Sequence, residues 1–398
     1  MSDNFLVPPK TPPELKIPAS KNTVKVSCID STSRFKLPNS HFIQPDYTGH
    51  NTLNGPSFSF FIEPLSSSSS SSKPILFDLG IRKDWKLLPS ATKLQNLHWE
   101  ISVEKDVAEI LRENKTNNNK IDIDGGGIAS IIWSHHHWDH VGNAATFPSS
   151  TEIIVGPGFI NAHLPGFPIN PHSTILESDF FDAKDKTKRR NIREVDIQTL
   201  GKGFQIGRFY AWDFFDNGSF YLLDTPGHAI GHICGLARTT SDPDSFVFMG
   251  GDAAHHGGEF RPTEYLPLPR ELGPPSPLPR KQPVCPGELL RGIHPYKKAD
   301  QPFYYVTESF AQDKKLADWT IEGLGELDAQ ENILMLMAHD DAIVDPGQLD
   351  FYPRALNDWY RKGVKEKIKW LFLADFDEAL AAKEKGGEPF KWVKDSSA

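Results

Sequence analysis

Cysteine is scarce: Cys28, Cys234 and Cys285 are the only three among 398 residues. Their odd number and wide spacing provide neither a disulfide framework nor a cysteine-based zinc motif. Long apolar runs are missing as well. No stretch approaches the ~20 residues that a bilayer-spanning helix needs. Residues 1–18 are polar and proline-rich and lack the apolar core of a secretory signal. Residues 394–398 carry no peroxisomal or ER-retention signal. Positive charge is also in short supply, with 43 Lys and Arg against 52 Asp and Glu and a formal net charge of -9. A nucleic-acid binder shows the opposite balance. The one basic cluster, residues 184–193, reads as a solvated face. These absences lead to the expectation of a cytoplasmic protein that engages neither nucleic acid nor membrane. They set no oligomeric state.

What is present is enough to build a large core: 38% of residues are hydrophobic, including 26 Phe and 9 Trp. Residues 1–20, with five prolines, read as a flexible arm, and residues 21–398 as one domain. The apolar segments at 57–62 and 75–79 suit two strands of a hairpin whose tip holds the serine run 66–72, a mobile low-complexity loop. Residues 102–114 carry Val103, Val107, Ile110 and Leu111 on one helical face, with Ser102 as the cap. Strands are expected at 128–133, 151–155, 204–215, 219–223, 245–249 and 332–337, and helices at 312–327, 356–374 and 377–383. The segment at about 257–302 is proline-dense, unsuited to ordinary helix or central strand, and reads as an insertion wrapped over the body. Strands and helices in both halves, with polar residues at strand ends, indicate a layered α/β fold.

One of those strand ends is unlike the rest. Directly after the apolar run 128–133 come Ser134, His135, His136, His137, Trp138, Asp139 and His140. On extended backbone His135 and His137 point the same way and His136 the other, which makes His136 a packing residue. Asp139 and His140 follow on the loop that leaves the strand. Imidazoles mixed with carboxylate suit Zn²⁺, Fe or Mn rather than a hard cation such as Ca²⁺.

The string His-x-His-x-Asp-His resembles the signature of the metallo-β-lactamase superfamily, and further pieces follow in the family's order. Asp78 ends an early strand, Thr225-Pro226-Gly227-His228 with His232 is similar to the family's Thr-Pro-Gly-His turn, Gly251-Asp252 to its strand-end aspartate, and His339 to its last histidine. The resemblance implies a four-layer αββα sandwich with two metal ions, most simply zinc. It implies that His135, His137 and His228 hold one ion, that Asp139, His140 and His339 hold the other, and that Asp252 bridges both. Asp78 would orient the histidine loop through a hydrogen bond, while His232 is left between that task and buttressing the turn. Within the superfamily, residues 24–345 look like fungal lactonase-like members, some of which open cyclic amides or carbamates such as plant benzoxazolinones. The activity implied is hydrolytic opening of a small, partly apolar lactone or lactam by hydroxide held between the metals, with Asp139 in the catalytic set. In lactone-cleaving relatives a tyrosine stands a little after the bridging aspartate. Here His255 and His256 occupy that place, and the group that handles substrate oxygens lies open between them. A glyoxalase-type thioester hydrolase and an iron-dependent oxidoreductase are the alternatives on the same framework.

Overall fold

The structure, a computed structural model, describes residues 4–65, 73–92, 99–114, 121–182, 184–308 and 310–393. The expected serine run lies outside the described residues. Two six-stranded sheets form the centre. In the first, β1 (Val24–Ile29), β2 (Ser59–Pro64), β3 (Ile75–Phe77), β4 (Ser130–Ile132), β5 (Glu152–Val155) and β6 (Ile192–Glu194) lie side by side in chain order. β1–β2 and β2–β3 pair antiparallel, and the remaining pairs are parallel. The second sheet holds β7 (Gln205–Ile206), β8 (Phe209–Asp213), β9 (Phe220–Asp224), β10 (Ile233–Ser241), β11 (Asp244–Met249) and β12 (Ile333–Leu336), antiparallel throughout except for β11–β12.

The central strands are buried on both faces, as their near-continuous apolar sequences require. Alternation then assigns each side chain to a layer. In β11 and β12, Val247, Met249, Leu334 and Leu336 meet Phe60, Phe77, Ile132 and Ile154 of the first sheet between the two sheets. Phe246, Phe248, Ile333 and Met335 point the other way, to Leu324 and Leu327 of the helix Lys314–Asp328. On the opposite outer face, Phe61, Leu76, Ile131 and Ile153 pack on Val107, Ala108 and Leu111 of the helix Val107–Glu113. Helix, sheet, sheet and helix stack in that order, which is the expected αββα sandwich. Among the described residues no helix is long and apolar enough to cross a membrane.

Several local expectations are corrected. The first helix starts at Val107, not after Ser102, because Asp106 and Glu109 form a reciprocal capping box while Ser102 lies in the strand Glu100–Ser102. The expected strand 204–215 is split by Gly207, at φ +58°, into the antiparallel pair β7 and β8. The expected helix 356–374 is broken at Gly363, at φ +63°, leaving the short helix Val364–Ile368 and the 3₁₀ segment Leu371–Phe376. The proline-dense segment does contain a helix, Gly287–Ile293, in a stretch free of proline. The N-terminal arm is not loose where it is described. Leu6 N–H donates to the Leu268 carbonyl at 2.9 Å, Gly207 N–H donates to the Leu15 carbonyl at 2.9 Å, and Leu15 is buried. Its prolines leave few backbone donors, and the proline-dense segment and the second sheet supply the partners.

Candidate metal centre

Four strand ends deliver the side chains. His135 follows β4, His228 follows β9, Asp252 follows β11 and His339 follows β12. The two sheets join here, since Ile233 N–H donates to the Ser134 carbonyl at 2.9 Å and Phe58 N–H to the Ala338 carbonyl at 3.0 Å. Two glycines permit close contacts around the site, one against the helix Lys314–Asp328 and one between the sheets. A Cβ on Gly227, at φ +124°, would lie 2.0 Å from the Ala317 nitrogen, and one on Gly251, at φ +49°, would lie 2.9 Å from the Ser134 Cβ.

The seven residues expected to act together meet in two sets. His135, His137, His228 and Asp252 form one, and Asp139, His140, His339 and Asp252 the other, each with its ligand-type atoms within 4.8 Å of one another. Asp252 divides its oxygens between them. Oδ2 lies 3.4 Å from His228 Nε2 and 3.7 Å from His135 Nε2, while Oδ1 lies 2.8 Å from His339 Nε2 and 2.9 Å from His140 Nε2. Asp139 Oδ2 is 3.4 Å from His339 Nε2.

The hydrogen-bond partners on the outer side of the rings assign their tautomers. His339 Nδ1 faces the Pro56 carbonyl at 2.7 Å, an acceptor only, so Nδ1 carries the proton. His140 Nδ1–H donates to Asp78 Oδ2 at 2.8 Å. Ser134 gives its one hydroxyl proton to Asp78 Oδ2 at 2.8 Å, so its oxygen accepts from His135 Nδ1–H at 3.0 Å. In all three rings Nε2 is left with a bare lone pair, and each is aimed inward. His228 Nε2 faces His135 Nε2 at 3.1 Å and His137 Nδ1 at 3.0 Å. His140 Nε2 and Asp252 Oδ1 are buried and make no hydrogen bond. Lone pairs and carboxylate oxygens converging in a buried space repel unless a cation lies among them, and the donor set of imidazole and carboxylate fits a divalent transition metal.

Electrostatics agrees. Burial, with His140 second, holds His135 well below the ordinary histidine range, and burial lowers His137 to about 3, so both rings are neutral donors. On His140 burial opposes charge, but Asp252, Asp78 and Asp139 together raise it well above the ordinary value. That excess of negative charge draws a proton to His140 Nε2 when no cation is bound; a bound cation would take that place and leave Nε2 the bare donor.

The neighbours resolve into roles. Asp78 accepts from Ser134 N–H at 2.7 Å, from Ser134 Oγ and from His140, and so ties the histidine loop to the end of β3. His232 Nε2 accepts the Asp252 N–H at 3.1 Å and its Nδ1 meets the Thr225 carbonyl at 3.1 Å, so it holds the Asp252 backbone. His136 turns away and stacks on His163 with centroids 3.9 Å apart, a packing contact. His255 and His256 point in different directions. His255 Nε2 is 3.5 Å from Asp252 Oδ2, and its ring lies 5.0 Å from that of His228. His256 is not brought to the centre; its Nε2 meets Asp375 Oδ2 at 3.0 Å. Sequence reasoning passed over Ser134 and the Pro56 carbonyl. Ser134 sits inside the motif and was within reach; a backbone carbonyl from a distant loop carries no sequence signal.

Comparison with known proteins places this geometry. The sequence profile of the metallo-beta-lactamase superfamily matches residues 54–160. Gamma-lactamase FDB1 of Fusarium pseudograminearum (strain CS3096) is 43% identical over 382 residues, covering 94% of this chain and 88% of that protein. Metallo-hydrolase mfmC of Annulohypoxylon moriforme is 40% identical over 380 residues, covering 94% and 92%. A solved quorum-quenching N-acyl homoserine lactone hydrolase aligns at 18% identity with a TM-score of 0.49, over 84% of this chain and 99% of its own. The chain belongs to the metallo-β-lactamase superfamily, in its fungal lactamase-like branch, and is a metal-dependent hydrolase.

Proposed function

We propose that the protein opens a small lactone or lactam ring with two zinc ions held by the seven converging residues. The observation that carries this is the inward-facing lone pairs of His135, His140 and His339 around the divided carboxylate of Asp252. His135, His137 and His228 would hold one ion, Asp139, His140 and His339 the other, and Asp252 both. When bound, such ions lower the pKa of water to about 7 and polarise a carbonyl oxygen. The chain's own residues do the rest. Asp78, Ser134 and the Pro56 carbonyl fix the ring orientations. Asp139 combines its place in the second set with that of a carboxylate beside the reacting atoms. His255, a further ring beside Asp252 Oδ2, presents Nε2 where a proton can be held for the opened ring's leaving oxygen or nitrogen.

An aromatic arc supports a planar, partly apolar substrate. Phe35 lies 4.8 Å from His339, and ring contacts run on through Trp138, Trp99, His41 and Phe42 to Phe310, which lies 5.4 Å from His228. The arc thus begins and ends on rings of the two metal sets. The name of the relative FDB1, a gamma-lactamase, supports the cyclic amide.

The test pairs metal analysis with a panel of aromatic-fused lactones, lactams and acyclic thioesters. Two zinc ions per chain with turnover of ring substrates is the expected result. Turnover of thioesters alone, or one iron per chain with oxygen consumption, overturns the proposal.

A further inference from the structure

We infer that Asp375, from the 3₁₀ segment Leu371–Phe376, is a positioning residue that sets His255 at the metal centre through a clamp on His256. This rests on the ring-opening reading above and assigns it a residue more than a hundred positions from the histidine it serves.

The clamp closes on residues 255–259 from two sides. From within, Glu259 Oε2 accepts the N–H groups of His255 at 2.5 Å and His256 at 3.0 Å. Gly258 N–H donates to His256 Nδ1 at 3.0 Å. That donor fixes Nδ1 as the bare nitrogen, so Nε2 carries the proton and donates to Asp375 Oδ2 at 3.0 Å. From outside, the turn is packed shut. A Cβ on Gly257 would lie 2.8 Å from Phe372 Cδ1, and one on Gly258 would lie 3.0 Å from Tyr304 Cδ2. Tyr304 N–H donates to the Gly258 carbonyl at 3.0 Å, and its hydroxyl meets His50 Nδ1 at 2.6 Å. His256, next in the chain, cannot rotate without breaking the Asp375 bond, and His255 inherits that fixed backbone. Its ring is then held between Phe42 and Phe310, with centroids at 5.3 Å and 5.1 Å, and its Nε2, buried and without a hydrogen-bond partner, faces Asp252.

Asp375 lies outside both sets that share Asp252, and its bond to His256 is what links it to His255, so its loss should act through His255. On the zinc-loaded full chain, Asp375→Ala lowers kcat by about tenfold or more, the scale expected when a reacting group is misplaced by a fraction of an ångström to an ångström. KM and zinc content stay constant. Asp375→Asn, whose amide oxygen can still accept from His256 Nε2–H, restores most of the rate. In a His255→Ala background, removing Asp375 has little further effect. An equal loss in both backgrounds, or full activity in Asp375→Ala, overturns the inference. Histidine-selective ¹⁵N NMR supplies a readout independent of turnover. His256 shows a protonated Nε2 and a bare Nδ1, and Asp375→Ala speeds exchange of that proton. If no ring substrate is turned over, the proposed function fails while the NMR result still decides the clamp; the opposite tautomer at His256 breaks the clamp whatever the substrate.

Discussion

Two clusters of histidine and aspartate lie near each other in this fold, and by residue type and spacing they look alike. One is the pair of sets built on Asp252. The other is His50, His256 and Asp375, whose ligand-type atoms also fall within 4.8 Å of one another. What separates them is where the protons are. Around Asp252 the outer nitrogens are spent on Asp78, Ser134 and the Pro56 carbonyl, and the inner lone pairs confront each other and two carboxylates. At the second cluster the assignment runs the other way. Gly258 N–H occupies His256 Nδ1, so the inner nitrogen is a donor and Asp375 its acceptor. His50 Nε2 stands 4.0 Å from Asp375, beyond a hydrogen bond. The first cluster is incomplete without a cation; the second is complete as a hydrogen-bonded turn. Proximity of ligand-type atoms therefore decides less than the count of protons among them.

The largest effect that follows is at the shared carboxylate. Asp252→Ala removes one oxygen from each metal set, so both ions should leave together. Zinc content is expected to fall from two per chain to well below one, with activity down by about a thousandfold or more. Mass spectrometry of the desalted protein and hydrolysis of a ring substrate check this. A variant that keeps one tightly held ion would show that Asp252 serves a single set.

A smaller effect belongs to the groups that direct the lone pairs. Asp78→Asn keeps the size of the side chain but replaces one acceptor with a donor, against the His140 Nδ1–H or the Ser134 groups. Metal affinity should fall by about 10- to 100-fold, the usual cost of losing such an outer partner. The second cluster sharpens the contrast: His50→Ala should leave zinc affinity unchanged. Titration against a chelating dye measures both. Loss of a zinc ion in the His50 variant would mean that the second cluster is a metal site after all.

The contrast also explains what the sequence could reveal. The candidate metal residues sit at strand ends next to strongly apolar segments, and most come with local spacing: His135 to His140 in one run, His228 in a Pro-Gly turn, Asp252 after Gly251; His339 has only the apolar run before it. The layered α/β body was legible for the same reason, since continuous apolar runs such as 245–249 mark strands covered on both faces, whereas the four-layer sandwich came from the family resemblance. Asp375, His50 and Tyr304 are single residues on separate segments, and no periodicity or spacing links them to His256. Backbone partners such as the Pro56 carbonyl leave no trace in side-chain identity. The boundary errors were different in kind. Asp106 and Glu109 spell a capping signal that was present but outranked by Ser102, whereas the breaks at Gly207 and Gly363 depend on positive φ values that a glycine permits but does not announce.

The mildest test bears on whether the second cluster has room for positive charge. Burial lowers His50 from 6.5 to about 4; Asp375 opposes that shift and His256 adds to it, while the Tyr304 hydroxyl occupies Nδ1. The unfolded chain protonates this ring near pH 6.5 and the folded chain only near 4, so between those values the unfolded state binds more protons and stability falls as pH falls. At about 1.4 kcal/mol per pH unit, the loss across the window amounts to about 3 kcal/mol at most. His50→Gln lacks the titrating ring, so its stability should depend less on pH, and the gap between parent and variant should shift by that amount between pH 6.5 and 4. Chemical denaturation of both proteins with chelator present keeps metal release out of the difference. Parallel profiles would mean that His50 accepts a proton as readily when folded as when unfolded. The pocket around Asp375 would then tolerate a cation, and the line drawn between the two clusters would lose its physical basis.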